Sequence, residues 1–137
     1  MIERDVSGSF DVTFQEYHIL KPSNRIAGWP DRGVQMNSKL VWCELKISKF
    51  RNDNKILLDN FEKEQASFMY KWQRNNGGCF LLVGLIDRRD KFAGYTIIRP
   101  NIYRDWLNVR QRYYSMDDIT IMAEMNDILE WFKYTYV

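Results

Sequence analysis

A proline-bound aspartate, a strand-borne glutamate and a lysine two residues further on are the residues best suited to chemistry here. They stand as Gly28-Trp29-Pro30-Asp31 and Trp42-Cys43-Glu44-Leu45-Lys46. A turn delivers the first carboxylate, and a short apolar run carries the second. Residues two apart on a strand share a face. Val41, Cys43, Leu45 and Ile47 are thus expected to face a core, with Trp42, Glu44 and Lys46 on the other side. Two carboxylates can hold a hard divalent cation through oxygen, leaving positions for water and phosphate. A lysine beside them can steer or deprotonate an attacking water, or stabilise charge building on phosphorus. That is the chemistry of metal-assisted phosphodiester cleavage. The plainer reading is a surface ion pair on a solvated strand face, with Asp31 as a turn former.

The elements that must position these residues follow from pattern. Asp31 to Gln35 begins a strand, Met36 to Lys39 is a tight connection, and Leu40 to Ser48 is the second strand of a hairpin. Residues 10–20 are mixed, a strand or a short helix, and no long helix is expected before the motif. Phe50 to Lys55 is polar and basic, either a DNA-contacting segment or an exposed connection. Residues 60–75 read as a helix with Phe61, Phe68, Met69, Trp72 and Gln65 on one face. A glutamine on an apolar stripe needs partners, and backbone or solvent would serve. Gly77-Gly78 is expected to end this helix. Cys79 to Ile86 follows as a continuous apolar, central strand, and Phe92 to Ile98 as another. Ile102 to Leu107 reads as a short helix. Ser115, three residues before Asp118, resembles a capping box for a last helix carrying Ile119, Met122, Met125, Leu129 and Phe132. The fold class expected is α/β, one domain over residues 1–137 with a mixed central sheet.

Composition bounds the rest. The 137 residues are 45% hydrophobic and 15% aromatic, enough for a sizeable core and unlike a disordered chain. No apolar run reaches the length of a membrane span, and no basic-then-apolar leader opens the chain. The expectation is a cytoplasmic protein of a bacterial or phage-infected cell, with no membrane partner. Cys43 and Cys79 lie in apolar runs and read as reduced core residues. The single histidine, His18, offers no metal cluster. Net charge is only +2, yet residues 21–55 and 71–112 are rich in Lys and Arg while residues 115–137 are acidic. That asymmetry suits a face laid on phosphates, or a merely solvated surface. Arg25, Arg32, Lys49, Arg51 and Lys55 flank the motif and are the expected DNA contacts. Arg99, Arg104, Arg110 and Arg112 interleave with aromatics, which fits a nucleic-acid surface, a dimer interface or ordinary packing.

Pro30-Asp31, twelve intervening residues and Glu44-Leu45-Lys46 together resemble the PD-(D/E)XK nuclease superfamily. The Gly-x-Pro-Asp-Arg flank looks like its VRR-NUC branch. Leu57-Leu58-Asp59-Asn60-Phe61, Gln65 and Gly77-Gly78-Cys79-Phe80 look like RecU-type Holliday junction resolvases. The resemblance covers residues 25–86. It implies a restriction-endonuclease-like core and a Mg²⁺- or Mn²⁺-dependent endonuclease acting on branched or structured DNA as a homodimer. The alternatives are a VRR-NUC-type repair or flap nuclease and, in another class, a non-catalytic DNA-binding module. The resemblance further implies that Asp31, Glu44 and the Leu45 backbone carbonyl hold the metal, that Lys46 is catalytic and that Gln65 positions water or the lysine. Many members add an acid from an N-terminal helix. Glu3, Asp5, Asp11 and Glu16 are available, and Glu16 is the first candidate.

Overall fold

In the computed structural model, residues 2–22, 28–50, 54–58, 61–98, 113–115 and 119–137 are described. The elements in chain order are α1 (Glu3–Thr13), β1 (His18–Leu20), β2 (Arg32–Met36), β3 (Lys39–Lys49), β4 (Lys55–Leu57), α2 (Lys63–Arg74), β5 (Gly78–Ile86), β6 (Phe92–Ile98), β7 (Tyr113–Ser115) and α3 (Met125–Tyr136). Five strands form one sheet in the order β1-β2-β3-β5-β6, and β4 pairs with β7 in a second. The β3–β5 pair is parallel and the other pairs are antiparallel. The fold is thus α/β with a mixed sheet, as the sequence pattern predicts. The long apolar runs became its central strands because a parallel pair needs both faces covered.

That double covering corrects one expectation. Both faces of β3 are buried, not one. Val41, Cys43 and Leu45 pack with Val6, Phe10 and Phe14 from the α1 side and Ile128 and Phe132 from α3. Trp42 packs on the opposite face with Ala66 and Met69 of α2 and Ile56 of β4. Glu44 is therefore 0% exposed and Lys46 5% exposed, instead of facing solvent. The alternation was right; the covering of the second face by α2 and β4 is not encoded in β3 itself.

An eleven-residue helix precedes the motif, starting earlier, at Glu3, than the stretch 10–20 that read as a strand or short helix. Its Ser7-Gly8-Ser9 centre has poor intrinsic propensity, so tertiary packing sustains it. Val6 and Phe10 are buried one turn apart. Phe10 stacks on Phe14 at 4.1 Å, and Phe14 meets Phe132 edge-on at 5.2 Å. The Ile2 N–H donates to the Asp5 carboxylate at 2.7 Å, which satisfies a free donor of the first turn.

α2 begins at Lys63, later than the pattern suggests, with Phe61 buried just before it. Asn76, at φ 65, carries the left-handed turn that ends the segment, and Gly78 already belongs to β5. The last helix begins at Met125. Its first turn is closed by Asp127, whose carboxylate accepts the Glu124 N–H at 3.0 Å. Ser115 instead ends β7, and Met122 forms a backbone bridge with Tyr95. Asp118 and the segment 102–107 lie outside the described residues. Among the described residues no helix is long and apolar enough to cross a membrane.

Candidate active site

Asp31 stands immediately before β2, and Glu44 lies within β3. The antiparallel register pairs Arg32 with Cys43, so Asp31 and Glu44 are neighbours just past the last pair of that ladder. The turn feeding Asp31 is fixed from outside. Gly28 has φ +84, and a Cβ there would lie 2.8 Å from the backbone oxygen of Glu64. Only glycine lets the chain dock that closely on the first turn of α2. Pro30 is buried behind it.

Asp31 is held by the strand itself. Its Oδ2 accepts the Leu45 N–H at 2.9 Å. In an extended strand the N–H and C=O of one residue project toward the same edge. The Leu45 carbonyl thus faces the Asp31 side of β3. Arg32 locks the other side of the turn. Its guanidinium donates to both Asp11 carboxylate oxygens, at 2.8 and 3.1 Å, and to the Asp31 backbone carbonyl at 2.8 Å. Lys21 adds a second cation 3.2 Å from Asp11. Burial would raise the Asp11 pKa, but the hydrogen bonds and charges of Arg32 and Lys21 outweigh it and hold the carboxyl below its ordinary value.

Glu44 is the anomaly of the core. Both its side-chain oxygens are buried without a hydrogen-bond donor. Its pKa is pushed up to about 10, first by burial and then by the adjoining Asp31 carboxyl and its charge; Lys46 opposes this and Glu3 adds to it. Two ionised carboxylates share no hydrogen, so the Asp31–Glu44 contact is a bond only when one proton sits between them. Either a proton or a cation must be there. Lys46 follows two residues on, on the same face of β3, level with Val83 of β5. Cys43 points to the other core. Burial above all, and then the Glu44 and Asp31 charges, raise its thiol pKa well above the ordinary value, so it is an inert core thiol.

The donor chemistry fits a hard divalent cation. A buried carboxylate with two unpartnered oxygens, a second carboxylate and a backbone carbonyl on one side are oxygen ligands of the kind magnesium and manganese take. Among the described residues no group of three His, Cys, Asp or Glu side chains gathers as a metal cluster. The pair would leave several positions to water.

The other sequence-expected residues are distributed differently. Glu16 lies at the opposite end of β2, beside His18 and Gln35, and pairs with Lys133 at 3.0 Å. The N-terminal acid whose charge reaches Glu44 is Glu3. Its signal was its place on the stripe of Val6 and Phe10, three and seven residues on. Gln65 is half-buried, and its Oε1 accepts the Glu62 N–H at 3.0 Å, closing the first turn of α2. Arg32 was expected on a DNA surface; its guanidinium is instead committed to Asp11 and the Asp31 carbonyl. Lys49 pairs on the surface with Asp90 at 2.8 Å. Lys55 is exposed on β4. Arg25 and Arg51 lie outside the described residues.

No protein-family model matches the chain, and no curated protein does. Among solved structures it is similar to the 1.6 Å structure of Archaeoglobus fulgidus Hjc, a Holliday junction resolvase from an archaeal hyperthermophile. The identity is 12% and the TM-score 0.46, over 93% of this chain and 96% of that one. A likeness of that degree carries no functional weight, and the reading below stands on the site's own residues.

Proposed function

We propose that this chain is a divalent-metal-dependent DNA endonuclease that hydrolyses phosphodiester bonds in branched or structured DNA. The observation that supports it most is the Asp31–Glu44 pair. It is a buried, donor-less carboxylate held against a second carboxylate, with Lys46 on the same strand face. A core keeps such a carboxyl only with a proton or with a counter-ion, and a bound divalent cation would supply the second.

Asp31, Glu44 and the Leu45 carbonyl would hold Mg²⁺ or Mn²⁺. When bound, the cation supplies Lewis-acid stabilisation of the phosphate and acidifies water. The protein's own groups do the rest. The Leu45 N–H fixes the Asp31 carboxylate before substrate arrives, so no reorganisation is needed during reaction. Lys46 carries positive charge to the phosphate oxygens or orients the attacking water. Glu3, from α1, adds negative charge that reaches Glu44, which raises the Glu44 pKa and would draw a cation once that carboxyl is ionised. Asp11 and Arg32 position the Asp31 turn. Gln65 acts on the α2 side, through the helix start it closes. The uneven basic distribution, with Lys49 as the last residue of the site strand and Lys55 on β4, suits a phosphate backbone. A homodimer would set two such sites about one two-fold axis, which suits paired nicks in a four-way junction.

The test is cleavage of four-way junction, flap and linear duplex DNA with and without Mg²⁺, beside a Lys46 variant. Metal-dependent cutting of the junction is expected. Cutting of flaps alone would move the assignment to a flap or repair nuclease. Binding without any cutting would leave a DNA-binding module.

A further inference from the structure

We propose that Trp29 is a stacking platform for an unpaired base of the strand being cut, next to the scissile phosphate that the Asp31–Glu44 site would receive. This deepens the nuclease reading by naming the substrate class: DNA whose strand is open at or beside the scissile bond.

Three observations converge on it. Trp29 is 40% exposed although it is a large aromatic next to a core. It is also held still. Its ring meets Trp42 edge-on at 5.7 Å and Phe68 at 5.4 Å, and Trp42 in turn meets Phe68 and Trp72. The backbone makes room for this cluster. Gly33, opposite Trp42 in the ladder, lies under its indole, where a Cβ would come within 2.7 Å of the ring. The third observation is closeness along the chain. Trp29 precedes Asp31 by two residues, and its partner Trp42 precedes Glu44 by two on the same face of β3. Two residues of chain reach at most about 7 Å whatever their conformation. The platform thus lies within one or two nucleotides of the candidate site, since bases repeat about every 3.4 Å along a duplex strand.

A rigid, partly exposed indole recognises a π-face. A base inside a duplex has both faces covered by its neighbours and offers none. An unpaired base offers one, and stacking on an aromatic is tolerant of sequence. The same preference would direct the nuclease to openings in DNA without reading any base edge.

The test is competition binding in EDTA, so that cleavage plays no part. One probe is a linear duplex, and the other is the same duplex with a two-nucleotide unpaired patch carrying 2-aminopurine. The parent should prefer the open probe and quench its fluorescence. Trp29→Leu keeps apolar bulk but removes the π-face, and should reduce the preference by roughly ten- to a hundredfold and abolish the quench. Trp29→Phe should retain most of both. Phe92→Ala, which removes an exposed aromatic elsewhere on the sheet, should change neither. Thermal midpoints of all variants verify folding. Unchanged preference and quenching in a folded Trp29→Leu protein would overturn the platform. Cleavage by the parent in Mg²⁺ is measured in parallel. Its absence on every substrate would sink the nuclease reading, while the binding data still decide the platform.

Discussion

The Asp31 carboxylate and the Leu45 backbone N–H are joined at 2.9 Å, which ties the turn to the strand at the point where Glu44 is buried. That bond separates chemistry from folding in a variant. Asp31→Asn keeps an oxygen to accept the N–H and removes the charge. It should fold normally and lose roughly a hundredfold or more in cleavage rate. Asp31→Ala should lose activity and also about 1 kcal/mol of stability, because the N–H loses its acceptor. Equal cleavage by Asp31→Asn and the parent would refute the site.

The Glu44 carboxyl sets a pH dependence for the metal-free protein. Its folded pKa of about 10 exceeds the ordinary 4.5. The folded state therefore holds a proton that the unfolded chain releases, and stability falls as pH rises between those values. The melting temperature in EDTA should drop from pH 5 to pH 9. Glu44→Gln, with no proton to lose, should flatten that slope while abolishing cleavage. Mg²⁺ or Mn²⁺ should raise the parent's melting temperature most at high pH, since the ligand must be ionised to bind. A pH-independent, metal-insensitive melting temperature would contradict the arrangement.

Lys46 is 5% exposed, so truncation leaves a hole as well as removing charge. Lys46→Met fills more of that space than Lys46→Ala. Both should lose most cleavage activity, with Lys46→Met the more stable by thermal melting. Activity surviving in Lys46→Met would assign the lysine to packing alone.

Arg32 should act through position, not through DNA. Arg32→Ala leaves the partly buried Asp11 facing only Lys21, and should cost about 1.5–3 kcal/mol in urea unfolding. Its cleavage rate should fall because the Asp31 turn loosens, while the salt slope of DNA binding stays that of the parent. A flattened slope would make Arg32 a phosphate contact after all.

DNA affinity should fall steeply with salt through counterion release. Neutralising Lys49, Arg51 and Lys55 together should weaken binding to every sequence and flatten the slope. Lys49 should contribute least, because Asp90 already balances it on the surface. A slope equal to the parent's would place the DNA on another face.

Four of the five strands of the sheet were legible because runs of Val, Ile and Leu were punctuated by Asn37 and by the Asp87–Lys91 turn, while β1 lay in a mixed stretch that read equally as strand or short helix. The closeness of Asp31, Glu44 and Lys46 was legible because a proline turn precedes an alternating strand. Glu3 was harder to read, since its helix has a Ser-Gly-Ser centre and is sustained by Phe132, more than a hundred residues away. Arg32 read as a DNA contact because basic residues near a site usually look that way. Its partner is twenty-one residues upstream, and one sequence shows no such pairing. The burial of Lys46 depends on α2 and β4 closing over β3, a tertiary event invisible in the strand's own alternation.

The Tyr95–Met122 bridge has a bearing on how these molecules behave when crowded. β6 is the last strand of its sheet, and such a margin invites another molecule to add a strand of its own. Tyr95 exchanges both backbone bonds with Met122 at 2.7 Å, so its pairing capacity is already used. Ile121 beside it sits against Gly94, too close for any larger residue there. At the opposite margin β1 offers only three residues, a poor template for growth. One short clasp and one short strand thereby make both margins of this sheet poor templates for an added strand.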